Sequence, residues 1–424
     1  MTPRERVFAL EQFGIKLGLE NIRTLIEALG RPDCAYPCVH VAGTNGKGSV
    51  TAMVERGLRA AGHRTGRYTS PHLAEIEERV AIDGAPVNAG AFDEVARDVL
   101  ETVDELLATR ALPHLPTFFE VTTAIAFEIF RRERVTAAVI EVGLGGRFDA
   151  TNVVDSVVTA ITSIALDHER HLGHTLSEIA FEKAGIIKRG VPVVIGRMPS
   201  EAARVVEQAA ALHDAPLVIA QPSDDGVPVQ LALNGVHQQD NAAIAVQVLR
   251  LCSRFGREIS SAHLVDALTQ VEWPARLEWL RVPDRGDVLL DAAHNPAGAQ
   301  ALVDYVTATV GALPMAVAIM KDKDVDTIVR TLEPAVKRFV ATEVSSPRAL
   351  AARQLAERIA RVLPGAHVTA QRRPVAAMLE AIGSEGRAMA AGSIFLVGPL
   401  RADLLARGAV PVRYSSEGSR FFLN

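Results

Sequence analysis

Short, continuously apolar runs alternate along the chain with longer stretches patterned as amphipathic helices. "CVHVAG" (38–43), "TAAVIEVG" (136–143), "VVTAITSIA" (157–165) and "VPVVIG" (191–196) are rich in β-branched residues and end on glycine or polar positions, which predicts buried strands. "GSVTAMVERGLRAAG" (48–62), "PTFFEVTTAIAFEIFRRER" (116–134) and "TLSEIAFEKAGIIKRG" (175–190) predict helices between them. That alternation predicts a mostly parallel sheet covered by helices. A second α/β series begins near residue 280. "DVLLDAAHNPAGAQALVDYV" (287–306) reads as strand, turn and helix, with Pro296 suited to a first helical turn. "MAVAIM" (315–320), "VKRFVAT" (336–342) and "SIFLVG" (393–398) read as further strands, and "LAARQLAERIARVL" (350–363) as a helix. "WPARLEWLRVPDRGD" (273–287) separates the two series and is the best linker candidate, so domains of 1–279 and 280–424 are expected.

"HVAGTNGKGSV" (40–50) lies where a strand passes into a helix, the context of a phosphate-binding loop. Gly43, Gly46 and Gly48 let backbone amides approach phosphate oxygens, and the helix start adds partial positive charge. Thr44 and Asn45 complete the loop, Lys47 is placed to reach the β- and γ-phosphates, and Ser49 offers a hydroxyl to Mg²⁺. Gly48 separates Lys47 from Ser49, unlike the usual G-x-x-x-x-G-K-[ST] pattern. Such a loop calls for an acid at a strand end to hold the metal, and Glu141 closes an apolar run. The bland alternative is a rim glutamate neutralised by Arg147. "LDHERHLGHT" (166–175) contains His168, His171 and His174 without a zinc-binding H-E-x-x-H pattern. His171 and His174 read as surface or capping residues, whereas His168 follows a strand run, at the edge where open α/β sheets bind ligands.

Composition narrows the class without naming it. Apolar residues make up 48% of the 424 and charged residues 22%, as in soluble globular proteins, and no apolar run reaches membrane-spanning length. "MTPRERVFALEQFG" (1–14) lacks the apolar core of a signal peptide. A net charge of −5, spread along the chain, gives no broad basic face for nucleic acid. Three cysteines, Cys34, Cys38 and Cys252, make neither a disulfide framework nor a four-ligand metal site, and suit a reducing cytoplasm.

Taken in order, "HVAGTNGKGS", "TSPHL", "EVGLGGRFDATN", "TSIALDH", "EKAGI", "DAAHNP" and "KDKD" closely resemble the folylpolyglutamate synthase and dihydrofolate synthase family, within the Mur ligase superfamily. The resemblance runs from about residue 15 to the "GSIFLVG" stretch. It implies a P-loop ATPase domain with a mostly parallel sheet, carrying folate-site loops, and a smaller Rossmann-like glutamate-ligase domain. It implies ATP as substrate, one Mg²⁺ at Ser49, Ser70 and Glu141, and a second at Glu141 and His168. Lys183 of "EKAGI" matches the family lysine that is carbamylated; the bland reading is a helix-surface lysine beside Glu182. Asp291 and His294 match positions that contact the nucleotide across a domain cleft, Asn241 a position near the adenine, and Arg276 the arginine that reaches the ATP phosphates. The structural alternatives are caps for Asn241 and Asp291 and a solvated linker arginine. Where the family has Pro-Gly-Arg, this chain has Pro274, Ala275 and Arg276, so a positive φ there would strain the alanine. "LPTFFEVTTA" resembles the helix lining a pterin pocket, with Phe118, Phe119 and Glu120 as candidate contacts, although two adjacent aromatics on a helix also read as core; His72 lies in "TSPHL". "SPHLAEIEERVAIDG" resembles a flexible loop that helps close the site; its glutamates otherwise read as a solvated helix face.

The implied reaction is acid–amino-acid ligation in folate and one-carbon metabolism. A carboxylate of dihydropteroate or a reduced folate takes the γ-phosphoryl group of ATP, and L-glutamate's amine then displaces phosphate. Many members use both acceptors, and both are expected here, in a cytoplasmic monomer with no nucleic-acid or membrane partner. A peptidoglycan-type Mur ligase is disfavoured because a loop starting at Gly43 leaves little chain for a preceding UDP-binding domain. A non-catalytic P-loop module would need neither Ser70, His168 nor Lys183.

Overall fold

In the computed structural model, residues 1–14, 18–222, 230–414 and 421–423 are described. The apolar runs of the first half become β1 (Cys38–Ala42), β2 (Thr65–Tyr68), β3 (Val80–Ile82), β4 (Ala85–Pro86), β5 (Ala137–Glu141), β6 (Val158–Ile161), β7 (Val193–Ile195) and β8 (Leu217–Ile219). They form one sheet in the order β4-β3-β2-β5-β1-β6-β7-β8. All neighbours from β2 to β8 run parallel, and only β3 and β4 join antiparallel. Every residue of β1 and β5 is buried, because helices cover both faces; that is why these strands read as unbroken apolar runs. One core gathers Tyr68, Phe127, Phe130 and Ile140, and another Ile161, Ile179, Val193 and Val206.

The placing of β1 between β5 and β6 decides where the chemistry lies. Val41 registers with Glu141, and Ala42 with Ile161. The Gly43–Ser49 loop, Glu141 and the Thr162–Asp167 segment therefore leave adjacent strands at one carboxyl edge. Ligands of open α/β sheets bind at that edge.

The second series holds β9 (Glu278–Val282), β10 (Gly286–Leu290), β11 (Leu313–Val317), β12 (Val336–Ala341), β13 (Val368–Ala370), β14 (Arg387–Ala391), β15 (Val410–Tyr414) and β16 (Phe421–Leu423). Their order is β13-β12-β11-β14-β10-β9-β15-β16; β13 to β10 are parallel and the rest antiparallel. Both sheets are thus mostly parallel and helix-covered in the part that carries the motifs, as the α/β reading expects.

Three sequence expectations need correction. Contacts divide the chain into Met1–Ala232 with Gln239–Val271, and Leu233–Gln238 with Glu272–Asn424. A boundary after residue 279 cuts β9, which pairs with β10 in a hairpin, so "WPARLEWLRVPDRGD" belongs to the second sheet rather than to a linker. "SIFLVG" opens a helix, Ile394–Ala406, capped by the Ser393 side chain on the Phe395 amide. A short run apolar on all sides does not separate a buried helix from a buried strand. The glutamates of "SPHLAEIEERVAIDG" do not form a solvated helix face. The segment makes a 3-10 turn, Ile76–Arg79, and then β3; Glu77 is buried, and the Glu78 carboxylate accepts the Leu73, Ala74 and Glu75 amides.

Candidate active site

Gly43 has φ +147, and a Cβ there would overlap the Thr162 hydroxyl; Gly46 has φ +86, and a Cβ there would overlap the Asn241 amide. Both positions therefore require glycine. The intervening turn is latched to the segment after β6. Thr44 N donates to Ser163 O at 2.7 Å and Asn45 N to Ser163 Oγ at 3.1 Å. Thr162 Oγ1 donates to Asn45 O at 2.6 Å. Thr162 and Ser163 thus shape the loop, a role that sequence reading does not assign. Gly46 caps the helix Lys47–Ala60 without a side-chain cap, and the Val50 amide is the first to return to Gly46 O. The amides of Lys47, Gly48 and Ser49 belong to the first turn, whose N–H groups have no intrahelical acceptor in any α-helix. With the helix dipole, such a first turn suits an anion.

Lys47 and Lys183 converge on one carbonyl. Lys47 Nζ donates to Gly43 O at 3.1 Å and Thr44 O at 3.2 Å, and Lys183 Nζ donates to Gly43 O at 2.9 Å. Lys183 is 4% exposed, so it is not a helix-surface lysine. Burial first, and the Lys47 charge second, lower its pKa from 10.5 to about 7. Glu182 instead pairs with Arg147 at 2.6 Å. Arg147 therefore has a partner other than Glu141, which weakens the view of Glu141 as a rim residue neutralised by it.

Glu141 is 5% exposed, and its Oε2 lies 3.4 Å from the Ser70 amide. Ser70 Oγ is shielded from solvent and has no hydrogen-bond partner. A shielded hydroxyl beside a buried carboxylate is a donor set that suits a hard cation such as Mg²⁺. His168 begins the helix Glu169–Leu172 in a left-handed conformation, φ +52, with its Nε2 3.9 Å from Asp167 Oδ2. His174 is exposed beside Glu169, as its surface reading expects. Among the described residues, no three His, Cys, Asp or Glu side chains gather as a metal site.

The pterin-helix candidates fare unevenly. Glu120 Oε2 accepts the Thr117 amide at 2.7 Å and hydroxyl at 2.9 Å, closing a capping box, so that oxygen is committed to the fold. Phe119 packs on Gly143 and, with ring centroids 6.1 Å apart, on Tyr68. Phe118 stacks on Phe8 at 5.9 Å, with the Arg79 guanidinium 5.0 Å from its centroid. Arg79 Nε donates to His72 Nδ1 at 2.9 Å, so His72 accepts there and presents Nε2 as its donor. Burial first, then Arg79, holds the His72 pKa down to about 4, keeping the ring neutral.

In the second unit, Asp291 holds backbone: Oδ2 accepts the Leu277 amide at 2.9 Å and Oδ1 the Ala293 amide at 2.8 Å. These contacts are not the helix cap of the structural alternative: the cap of the helix Pro296–Thr309 is Asn295, and Asp291 ties two loop amides instead. His294 Nδ1 lies 2.9 Å from Ala292 O, and Asn295 caps the helix Pro296–Thr309. Ala275 does adopt the left-handed conformation, φ +57, and Leu277 repeats it at φ +48. Each costs about 1–2 kcal/mol relative to a right-handed residue. Both are buried, with half-buried Arg276 between them.

Residues 275–397 match the Mur ligase glutamate ligase domain. With the phosphate-loop unit before it, this sets the class: the protein is an ATP-dependent ligase. It is 33% identical over 369 residues to a Bacillus subtilis dihydrofolate synthase/folylpolyglutamate synthase, covering 81% of this chain and 85% of the relative. It superposes on Mycobacterium tuberculosis folylpolyglutamate synthase complexed with ADP with a TM-score of 0.84 and 32% identity, covering 95% of this chain and 98% of the other. Against E. coli FolC in complex with DHPP and ADP the TM-score is 0.84 at 28% identity, covering 96% and 99%. The chain belongs to the dihydrofolate synthase/folylpolyglutamate synthase family.

Proposed function

We propose that this ligase joins L-glutamate to the carboxylate of dihydropteroate and of reduced folates, acting on both acceptors as a cytoplasmic monomer. The observation that carries the site reading is the convergence of Lys47 and buried Lys183 on the Gly43 carbonyl, at the sheet edge where Glu141 emerges. The two-activity name of the B. subtilis relative and the DHPP and ADP bound to the E. coli enzyme support the choice of substrates.

In this reading the acceptor carboxylate oxygen attacks the γ-phosphorus, the bond to the β-phosphate oxygen breaks, and ADP leaves with the electron pair. The glutamate amine then attacks the acyl carbon and loses its proton. The carbon–oxygen bond to phosphate breaks, and the amide forms. The first-turn amides of Lys47, Gly48 and Ser49, with the Lys47 ammonium, orient and neutralise the phosphates. Arg276, Asp291, His294 and Asn241 are proposed nucleotide contacts. Ser49, Ser70 and Glu141 would hold one Mg²⁺, and Glu141 with His168 a second. When bound, the ions supply charge neutralisation on the phosphate oxygens. Lys183 is proposed to be carbamylated. His72 Nε2–H and the Phe118 and Phe119 faces are proposed to meet the pteridine, with Glu120 able to offer only Oε1, since Thr117 takes up Oε2.

Phosphate release with ATP and glutamate is expected to require an added pteroate or folate, and mass analysis should show one glutamate added to each acceptor supplied separately. ATP turnover indifferent to acceptor and glutamate would overturn the reading. Product from only one acceptor would remove the bifunctional part.

Ser70→Ala separates metal binding from folding. Its hydroxyl satisfies no protein partner, so removing it should leave the urea midpoint unchanged or slightly raised. The Mg²⁺ concentration for half-maximal activity should rise about tenfold, in line with the cost of losing metal-site support. An unchanged Mg²⁺ requirement would take Ser70 out of the site.

A further inference from the structure

The backbone around Arg276 is fastened on both sides. Ala275 N donates to Glu278 Oε2 at 2.9 Å, and Ala292 N to Ala275 O at 3.0 Å. Leu277 N donates to Asp291 Oδ2 at 2.9 Å, and Asn234 Nδ2 to Leu277 O at 2.9 Å. Two left-handed, non-glycine residues flanking one half-buried arginine are costly unless the surroundings over-determine them. Glu278 is itself gripped from the helix Ile394–Ala406. Arg401 Nε donates to Oε1 at 3.0 Å and Oε2 at 2.7 Å, and Nη2 to Oε1 at 2.9 Å. The two side chains are only 13% and 22% exposed. Charge-assisted, multiply bonded pairs fix geometry as well as add energy.

We propose that Glu278 and Arg401 are positioning residues for Arg276: Arg401 locks the Glu278 carboxylate, Glu278 holds the Ala275 amide, and the turn so fixed aims the guanidinium of Arg276. The proposal rests on the reading of Arg276 as a phosphate contact. It explains how an alanine holds the left-handed conformation here: it is held from outside rather than freely adopted.

The test is a double-mutant cycle on purified full-length enzyme. Amide formation is followed at saturating ATP, glutamate and dihydropteroate, with KM measured for each. Arg401→Ala is expected to lower kcat about tenfold to a hundredfold, the cost of misplacing a catalytic group, with the KM for dihydropteroate unmoved. Arg401→Lys, which lacks the guanidinium fork, should behave nearly alike. In an Arg276→Ala background, adding Arg401→Ala should change kcat no further. Glu278→Gln, carried through the same cycle, gives a second route if Arg401→Ala folds poorly. Losses that multiply, or a parental kcat in Arg401→Ala, would overturn the proposal while leaving Arg276's own role intact. A parental kcat in Arg276→Ala would overturn that role and the proposal together.

Discussion

Lys47→Ala is expected to lower amide formation by about two to three orders of magnitude while the chain keeps its fold, the range seen when one preorganised charge-stabilising donor is removed. The lysine stands in the first turn of its helix, with Nζ folded over the loop onto Gly43 O and Thr44 O. Its replacement costs the loop two hydrogen bonds, but the turn stays tied to Thr162 and Ser163, and Gly43 O keeps the Lys183 amine. Alanine is also the best helix former, so the helix start is not weakened. What disappears is the cation proposed to neutralise the phosphate oxygens. The loss should therefore fall mainly on kcat, with a smaller change in ATP affinity, because first-turn amides still bind the anion. Steady-state kinetics and a urea unfolding curve on the same variant check both halves. Unchanged product formation would contradict the loop assignment.

The parts of this site read most directly from sequence were those whose chemistry sits within a few residues. The glycines at 43 and 46 and the lysine at 47 declare a phosphate loop, and an apolar run closing on Glu141 declares a buried acid. Their meeting is not local. It follows from β1 inserting between β5 and β6, a register that pairs Val41 with Glu141 across a long stretch of chain. For the same reason Thr162 and Ser163 read only as part of the strand run "VVTAITSIA", and Glu278 as part of "WPARLEWLRVPDRGD", since Arg401 arrives from a remote helix. Glu120 shows the opposite case. Thr117-x-x-Glu120 ahead of an apolar run is a capping-box pattern, so a structural use for that carboxylate was already visible in the residues. "SIFLVG" reads as a strand yet folds as a helix, because a buried helix and a buried strand share its composition, and the Ser393 cap shows its meaning only once the backbone turns.

Lys183→Met should make the protein more stable and nearly inactive at once. The native pKa is about 7 against 10.5 for an exposed lysine, chiefly because burial disfavours the charged form. Between those values the unfolded chain holds a proton that the folded chain does not, so this lysine's cost to folding is greatest at and below pH 7 and fades as pH rises towards 10.5. One pKa unit corresponds to about 1.4 kcal/mol. Methionine removes the cost and loses one hydrogen bond worth about 1 kcal/mol, while Gly43 O retains Lys47. A net gain of about 3 kcal/mol at pH 7 is expected in urea unfolding without bicarbonate, shrinking towards pH 10. Activity should fall about a hundredfold, as when a group supporting a metal site is lost. The same low pKa leaves a large share of Lys183 as neutral amine at neutral pH, the form whose nitrogen attacks the carbon of CO₂ and releases a proton. The carbamate keeps one N–H for Gly43 O and places an anion beside the Lys47 ammonium. With ¹³C-bicarbonate at pH 8, the parent should show a carbamate resonance that Lys183→Met lacks. If the parent shows no such signal, carbamylation fails as a reading. If the methionine variant is less stable than the parent at pH 7, the buried lysine is not the burden its surroundings imply.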